Sequence, residues 1–242
     1  MENSKFFSVN KYINFYNCDE NETLSLPSYL AWCSEIGGLQ LKERGITRES
    51  MMRERQVFLL SQIVYECVKP ALYEEKCTLT TWESSLSGAK FFRSYLLQNE
   101  KGETLSKSVS SWVLVDPIER KILRPKEYNH EFMLVNDELQ LPVTRIKISN
   151  GEKVGEHITK YSEIDGNHHL NNRHYGKFIT DYAPEKFIGK SIKTANILYM
   201  NEAKLNDRIN MYAAVTGYNS YCIYGTFDDG KKCFEAFATV FD

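Results

Sequence analysis

The chain has 242 residues, 42% of them hydrophobic and 13% aromatic, with 30 basic side chains against 32 acidic ones and a formal charge of −2. That balance excludes the electrostatic footprint of a nucleic-acid or anionic-membrane binder, and the composition excludes a disordered or fibrous chain. The longest unbroken apolar runs, such as residues 211–215, fall far short of the roughly 18 residues that a spanning helix needs, and the first residues show no secretory pattern. A cytoplasmic location is expected. Six cysteines at 18, 33, 67, 77, 222 and 233 form no C-x-x-C pair, so buried free thiols are expected rather than a zinc ribbon or a redox motif.

In chain order, residues 5–16 read as a strand and 26–44 as a helix. Pro27 suits its first turn, Leu26, Tyr29, Leu30, Cys33, Ile36 and Leu41 recur near a 3.6 period, and Gly45 offers a C-terminal cap. Strands follow over 56–67, 75–83, 90–98 and 104–115, with a hairpin turn at 99–102. The apolar period fades after Asp116-Pro117, and 124–151 reads as a connector. The pattern then restarts: a strand over 154–163, a helix over 171–182 that ends before Pro184, and strands over 192–201, 207–217, 221–227 and 232–241. Each half is a strand, a helix and four strands, and a mainly antiparallel sheet can cover a helix with one apolar stripe by curling around it. An offset of 146 residues pairs Asp19 with Asp165, Asn21 with Asn167, Leu24 with Leu170 and Tyr29 with Tyr175.

The densest polar cluster, residues 161–172, lies between a strand and a helix. Helix capping accounts for Asn171 and Asn172. It does not account for Asp165, Asn167 and His169, which in an extended segment would face one way, with His168 facing the other. An imidazole with an ordinary pKa near 6.5 suits acid–base work at neutral pH. The neighbouring helix start is expected to offer unpaired N–H groups to a developing oxyanion.

The run Ser162-Glu163-Ile164-Asp165-Gly166-Asn167-His168-His169-Leu170-Asn171-Asn172, followed by Tyr175, resembles the S-D-x-D-x-N-x-H-x-N-N-x-x-Y signature of the acyl-carrier-protein (ACP) thioesterases. Trp112-Val113-Leu114-Val115-Asp116, followed by Arg124-Pro125, is similar to that family's W-x-x-x-D…R-x-P strand and turn. The resemblance implies an α+β tandem hot-dog fold, each half an antiparallel sheet wrapped around a long central helix. Residues 1–128 would form an N-terminal domain that holds the acyl chain without a complete catalytic set, 129–152 a linker, and 153–242 a catalytic C-terminal domain.

Carried over by position, the resemblance implies that Asp165, Asn167, His169 and Glu202 are catalytic. Glu202 and His169 would activate water, while Asp165 and Asn167 orient them or hold the water and the thioester. Which carboxylate is the formal base stays open, as does a transient acyl–carboxylate intermediate. Ala203 occupies the position where some plant members carry a cysteine, so no thiolate can act there. Thr23 stands where the second half has His169, and the first half shows no clear counterpart of Glu202, so one site per chain is expected. Trp32, Trp82, Phe91, Phe92 and Trp112 are candidates for the acyl pocket.

The reaction implied is hydrolysis of fatty acyl-ACP to a free fatty acid, with no metal or organic cofactor, ACP as partner, and a homodimer as a possible assembly. The alternatives are an acyl-coenzyme A thioesterase, a hot-dog dehydratase, and a non-catalytic acyl-binding module.

Overall fold

A computed structural model describes residues 5–135, 141, 148 and 150–242. Its first half runs β1 (Phe7–Tyr12), α1 (Leu26–Glu43), α2 (Arg48–Arg53), β2 (Val57–Cys67), β3 (Lys76–Ser87), β4 (Lys90–Asn99), β5 (Thr104–Asp116) and β6 (Lys121–Leu123). The second runs β7 (Glu152–Ile158), α3 (His174–Asp181), β8 (Ile192–Tyr199), β9 (Arg208–Gly217), β10 (Ser220–Thr226) and β11 (Lys232–Val240). Antiparallel pairing puts the strands of the first half in the order β1-β3-β4-β5-β2, with β6 on β5, and those of the second in the order β7-β9-β10-β11-β8. The two orders are identical once each strand is matched to its repeat. This is a duplicated hot-dog fold.

The compact units are not contiguous in sequence: residues 1–14 group with 32–143, and residues 15–31 with 144–242. The connector expected over 129–152 lies partly outside the described residues.

Helix α1 follows from its pattern. Leu26, Tyr29, Leu30, Cys33, Ile36 and Gln40 are all buried, at the three- and four-residue spacing of one helical face. It ends as expected at Gly45, whose φ of +77° lets the Ile46 N–H reach the Leu41 carbonyl (2.9 Å) and its own N–H reach Lys42 (2.9 Å). In the first unit Gly37 of α1 lies against the Arg93 side chain of β4, and Phe91 meets Phe58 and Phe132 edge-on at 5.0 and 5.2 Å. In the second unit Tyr175 and Phe178 of α3 pack on Phe234 of β11, and the Tyr221 hydroxyl of β10 donates to the Ile179 carbonyl (2.7 Å). Burying each such ring contributes about 2–3 kcal/mol. Gly176 is required by close approach: a Cβ there would stand 2.9 Å from Leu30 and 3.2 Å from the Pro27 nitrogen.

Three expectations need correction. The strands expected over 5–16 and 154–163 stop at Tyr12 and Ile158, because each chain turns into a short 3-10 segment, Phe15–Asn17 and Tyr161–Glu163. The second helix is eight residues long and begins at His174 instead of 171, so the long central helix is a feature of α1 alone. Helix α2 and strand β6 are too short to announce themselves by period. No helix among the described residues is long and apolar enough to cross a membrane.

Candidate active site

The 146-residue offset is reproduced bond for bond. In the first copy a bridge joins Cys18 and Leu24, the Asp19 N–H donates to the Thr23 carbonyl (2.8 Å), the Glu22 N–H to the Asp19 carbonyl (3.1 Å) and the Ser25 N–H to the Asn17 carbonyl (2.9 Å). In the second a bridge joins Ile164 and Leu170, and the matching donors are Asp165 to His169 (2.9 Å), His168 to Asp165 (3.0 Å) and Asn171 to Glu163 (2.9 Å). Each turn also carries a non-glycine residue at positive φ, Glu22 at 56° and His168 at 64°. The segment 165–169 is therefore a closed turn. The extended geometry expected from alternation is not what forms, because the Asp165 carboxylate takes the Asn167 N–H (2.8 Å) and folds the backbone into an Asx turn.

The turn still delivers its imidazole to an acid. The Leu170 N–H donates to the Ala203 carbonyl (2.7 Å), which lays residue 169 beside residue 202. His169 Nε2 then stands 3.2 Å from Glu202 Oε2, with the two side chains 27% and 34% exposed, so water reaches both. The acid is held from behind. The N–H groups of Met200 and Asn201 both donate to the Cys233 carbonyl (3.0 and 3.1 Å), and the Asn201 side chain donates to the Lys232 carbonyl (2.7 Å). The Cys233 thiol donates to the Asn201 carbonyl (3.5 Å) and lies 3.4 Å from the Tyr175 hydroxyl. Cys233 is fully buried, and burial pushes its thiol up to about 12, so it serves packing and not nucleophilic chemistry. Burial, with Cys233, Tyr199 and Glu202 nearby, raises the Tyr175 hydroxyl well above its ordinary value.

Of the four site residues expected, His169 and Glu202 form a pair, Asp165 spends a carboxylate oxygen on the turn, and Asn167 occupies the exposed tip. The expectation of free N–H groups at the helix start is not met. The Asn171 N–H is taken by Glu163, that of Arg173 by the Asn171 side chain (3.1 Å) and that of His174 by the Asn171 carbonyl (2.9 Å), because the chain tightens before α3 begins.

The counterpart of Glu202 emerges from the strand ends. The N–H groups of Val68 and Lys69 both donate to the Leu105 carbonyl (2.9 and 3.1 Å), as those of Met200 and Asn201 do to Cys233. Pro70 therefore stands in the place of Glu202, and the buried Ala71 in that of Ala203.

A second acid–imidazole pair, not singled out from the sequence, lies behind the turn: His157 Nε2 is 2.8 Å from Glu163 Oε2. Burial acts to raise the Glu163 carboxyl, but the Lys160 N–H and the His157 ring together hold it below the usual range. His174, close by and buried, is lowered to about 4 by burial first and by Arg173 second. Among the described residues no group of three or more His, Cys, Asp or Glu side chains is placed to hold a metal.

The first unit contains a cavity of about 220 Å³. Phe91, Phe92 and Trp112 line it, as expected of pocket candidates, together with Phe58, Leu41 and Phe132. Trp82 packs instead against Phe6 (5.3 Å), and Trp32 lies under the Lys11 ammonium (5.6 Å).

Residues 4–132 match the family described as Acyl-ACP thioesterase N-terminal domain, and residues 147–232 its companion, Acyl-ACP thioesterase C-terminal domain. Among curated proteins, a chloroplastic palmitoyl-acyl carrier protein thioesterase of Gossypium hirsutum is 22% identical over 194 residues, covering 74% of this chain and 47% of that protein. One from Arabidopsis thaliana is 21% identical over 230 residues, covering 87% and 55%. The chain thus spans about half the length of the curated relatives it matches. Among solved structures, an acyl-ACP thioesterase from Bacteroides thetaiotaomicron is similar with a TM-score of 0.89 at 18% identity, covering 98% of each chain. The 12:0-ACP thioesterase from Umbellularia californica has a TM-score of 0.82 at 15% identity, again covering 98% of each. These likenesses show the duplicated fold.

Proposed function

We infer an activity from one premise: the chain belongs to the acyl-ACP thioesterase family, matched by both of that family's domains. The reading is hydrolysis of a fatty acyl thioester carried on ACP, with release of the free fatty acid and the carrier thiol. The observation that carries it is the imidazole–carboxylate pair His169–Glu202, 3.2 Å apart, water-accessible and held from both sides by backbone hydrogen bonds.

Glu202 accepts the Nε2–H of His169 and so selects the tautomer whose Nδ1 lone pair is available. Nδ1 takes a proton from a water whose oxygen attacks the thioester carbonyl. The tetrahedral intermediate collapses with cleavage of the C–S bond, and the imidazolium returns its proton to the departing sulfur, so the products are carboxylic acid and thiol. Asp165 acts through the turn, fixing the backbone from which His169 projects. Asn167, at the turn's tip, is assigned to holding the thioester. The first domain takes the acyl chain.

Thiol release from acyl-ACP and acyl-coenzyme A of matched chain tests this. Release from acyl-ACP with the higher kcat/KM is expected. Preference for the coenzyme A ester would reassign the carrier, and no release from either would overturn hydrolysis in favour of an acyl-binding module.

A further inference from the structure

Polar side chains line the cavity of the first unit at two places, Ser34 of α1 and the pair Glu83 and Arg93; the rest of its lining is apolar side chains and glycine. Its wall is graded in exposure: Ser34 and Gly38 of α1 are exposed, Phe92 and Trp112 are half-buried, and Phe91, Glu83 and Arg93 are buried. The opening therefore lies along α1 and the inner end at Glu83 and Arg93, whose side chains are 2% and 8% exposed. These two residues are directly opposed on neighbouring strands β3 and β4.

Their charges are tied down completely. Arg93 Nη2 lies 3.2 Å from Glu83 Oε1, and the same oxygen receives Arg44 Nη1 at 3.0 Å. Glu83 Oε2 accepts the Met133 N–H. Arg93 Nη1 donates to Thr81 Oγ1 (3.3 Å) and to Gln40 Oε1. An alkyl chain that advanced past Phe91 would have to part this cluster and leave a buried charge unpaired, which is far costlier than an alkyl chain meeting another apolar wall. The volume, about 220 Å³, is also below the roughly 300–1,000 Å³ usual for pockets that enclose a small-molecule ligand.

We propose that the buried Glu83–Arg93 pair is the closed inner end of the acyl cavity and sets the longest chain this protein accepts, at fewer than sixteen carbons. The inference rests on the reading of the first domain as the acyl-binding one. It concerns binding, so it is measured apart from hydrolysis.

The test is calorimetric titration of the full chain with saturated free fatty acids of eight to sixteen carbons, below their micelle-forming concentrations. Affinity rises by about fourfold per buried methylene until the chain tip meets the ion pair, and then stops rising. Arg93→Met removes the guanidinium while leaving Glu83 paired with Arg44, and moves that break to longer chains. Gly37→Ala places a Cβ about 3.4 Å from Arg93 Cδ in a helix that tolerates alanine, and moves the break to shorter chains. If Arg93→Met does not fold, the Gly37→Ala profile decides. Affinity that climbs unbroken to sixteen carbons in the unmodified chain, or a break that neither variant moves, overturns the proposal. A broken profile in a protein that releases no thiol supports it while contradicting hydrolysis, and thiol release with an unbroken profile does the reverse.

Discussion

In the turn at 19–23 the Thr23 hydroxyl folds back onto the Asp19 carboxylate, 3.1 Å from each oxygen, which also accepts the N–H groups of Asn21 (3.0 Å) and Thr23 (3.1 Å). In the turn at 165–169 the same backbone bonds recur, but the side chain in the place of Thr23 is an imidazole that reaches outward to Glu202. The strand-end position that holds Glu202 in the second half holds Pro70 in the first. The turn is thus formed in both copies, and the residues that differ, Thr23 against His169 and Pro70 against Glu202, leave the imidazole–carboxylate pair to the second alone. Behind the turns the copies differ again: Glu163 and His174 occupy the positions of Asn17 and Ser28, so only the second copy titrates there.

The largest effect expected from breaking this difference is on turnover. His169→Ala or Glu202→Ala lowers thiol release by at least about 10²-fold, the usual loss for a positioned acid–base group, with an unchanged unfolding midpoint; full activity in both would place the chemistry elsewhere.

Acidification comes next. Burial holds His174 at about 4 against an ordinary 6.5, so the unfolded chain binds the extra proton first. Its stability contribution is complete above about pH 6.5 and is lost as pH falls toward 4. Glu163, also lowered, acts in the same direction at still lower pH. Denaturant midpoints between pH 7 and pH 4 should fall by an amount worth up to about 2 kcal/mol, and His174→Leu should flatten that dependence. An unchanged slope in that variant contradicts the assignment.

A smaller loss is expected at Asp165. Asp165→Ala removes the bond that closes the turn and, by displacing His169, lowers kcat by roughly tenfold, while Asp165→Asn, which keeps an acceptor oxygen, recovers most of it. Equal losses in both variants would mean that the negative charge itself takes part. The smallest effect belongs to Thr23→Ala, which costs about 1 kcal/mol of stability and leaves turnover untouched; lost turnover there would show that the first turn is not merely structural.

Much of this was legible in the sequence. The element order followed from apolar period and the segment from Asp165 to His169 from polar density just before a helix, whereas Glu202, an acid at a strand end, was reached only through the family resemblance. Period could not reveal that residues 165–169 close into a turn, because a carboxylate capturing an amide two residues on overrides the extended backbone that alternation suggests. Pro70 escaped notice for a simpler reason: it stands 132 residues from Glu202, not 146, mainly because α1 runs further than its repeat α3, with β2 also longer than β8. The Glu83–Arg93 pair depends on the register of β3 against β4, which no single strand's pattern specifies.

The most direct measurement is a double-mutant cycle on thiol release, comparing His169→Ala, Glu202→Ala and the two combined. If Glu202 acts by holding the imidazole that takes the proton, the combined variant is no slower than the slower single one, because either change already disables the unit. Losses that multiply would show two groups acting independently and would contradict the shared-proton pair.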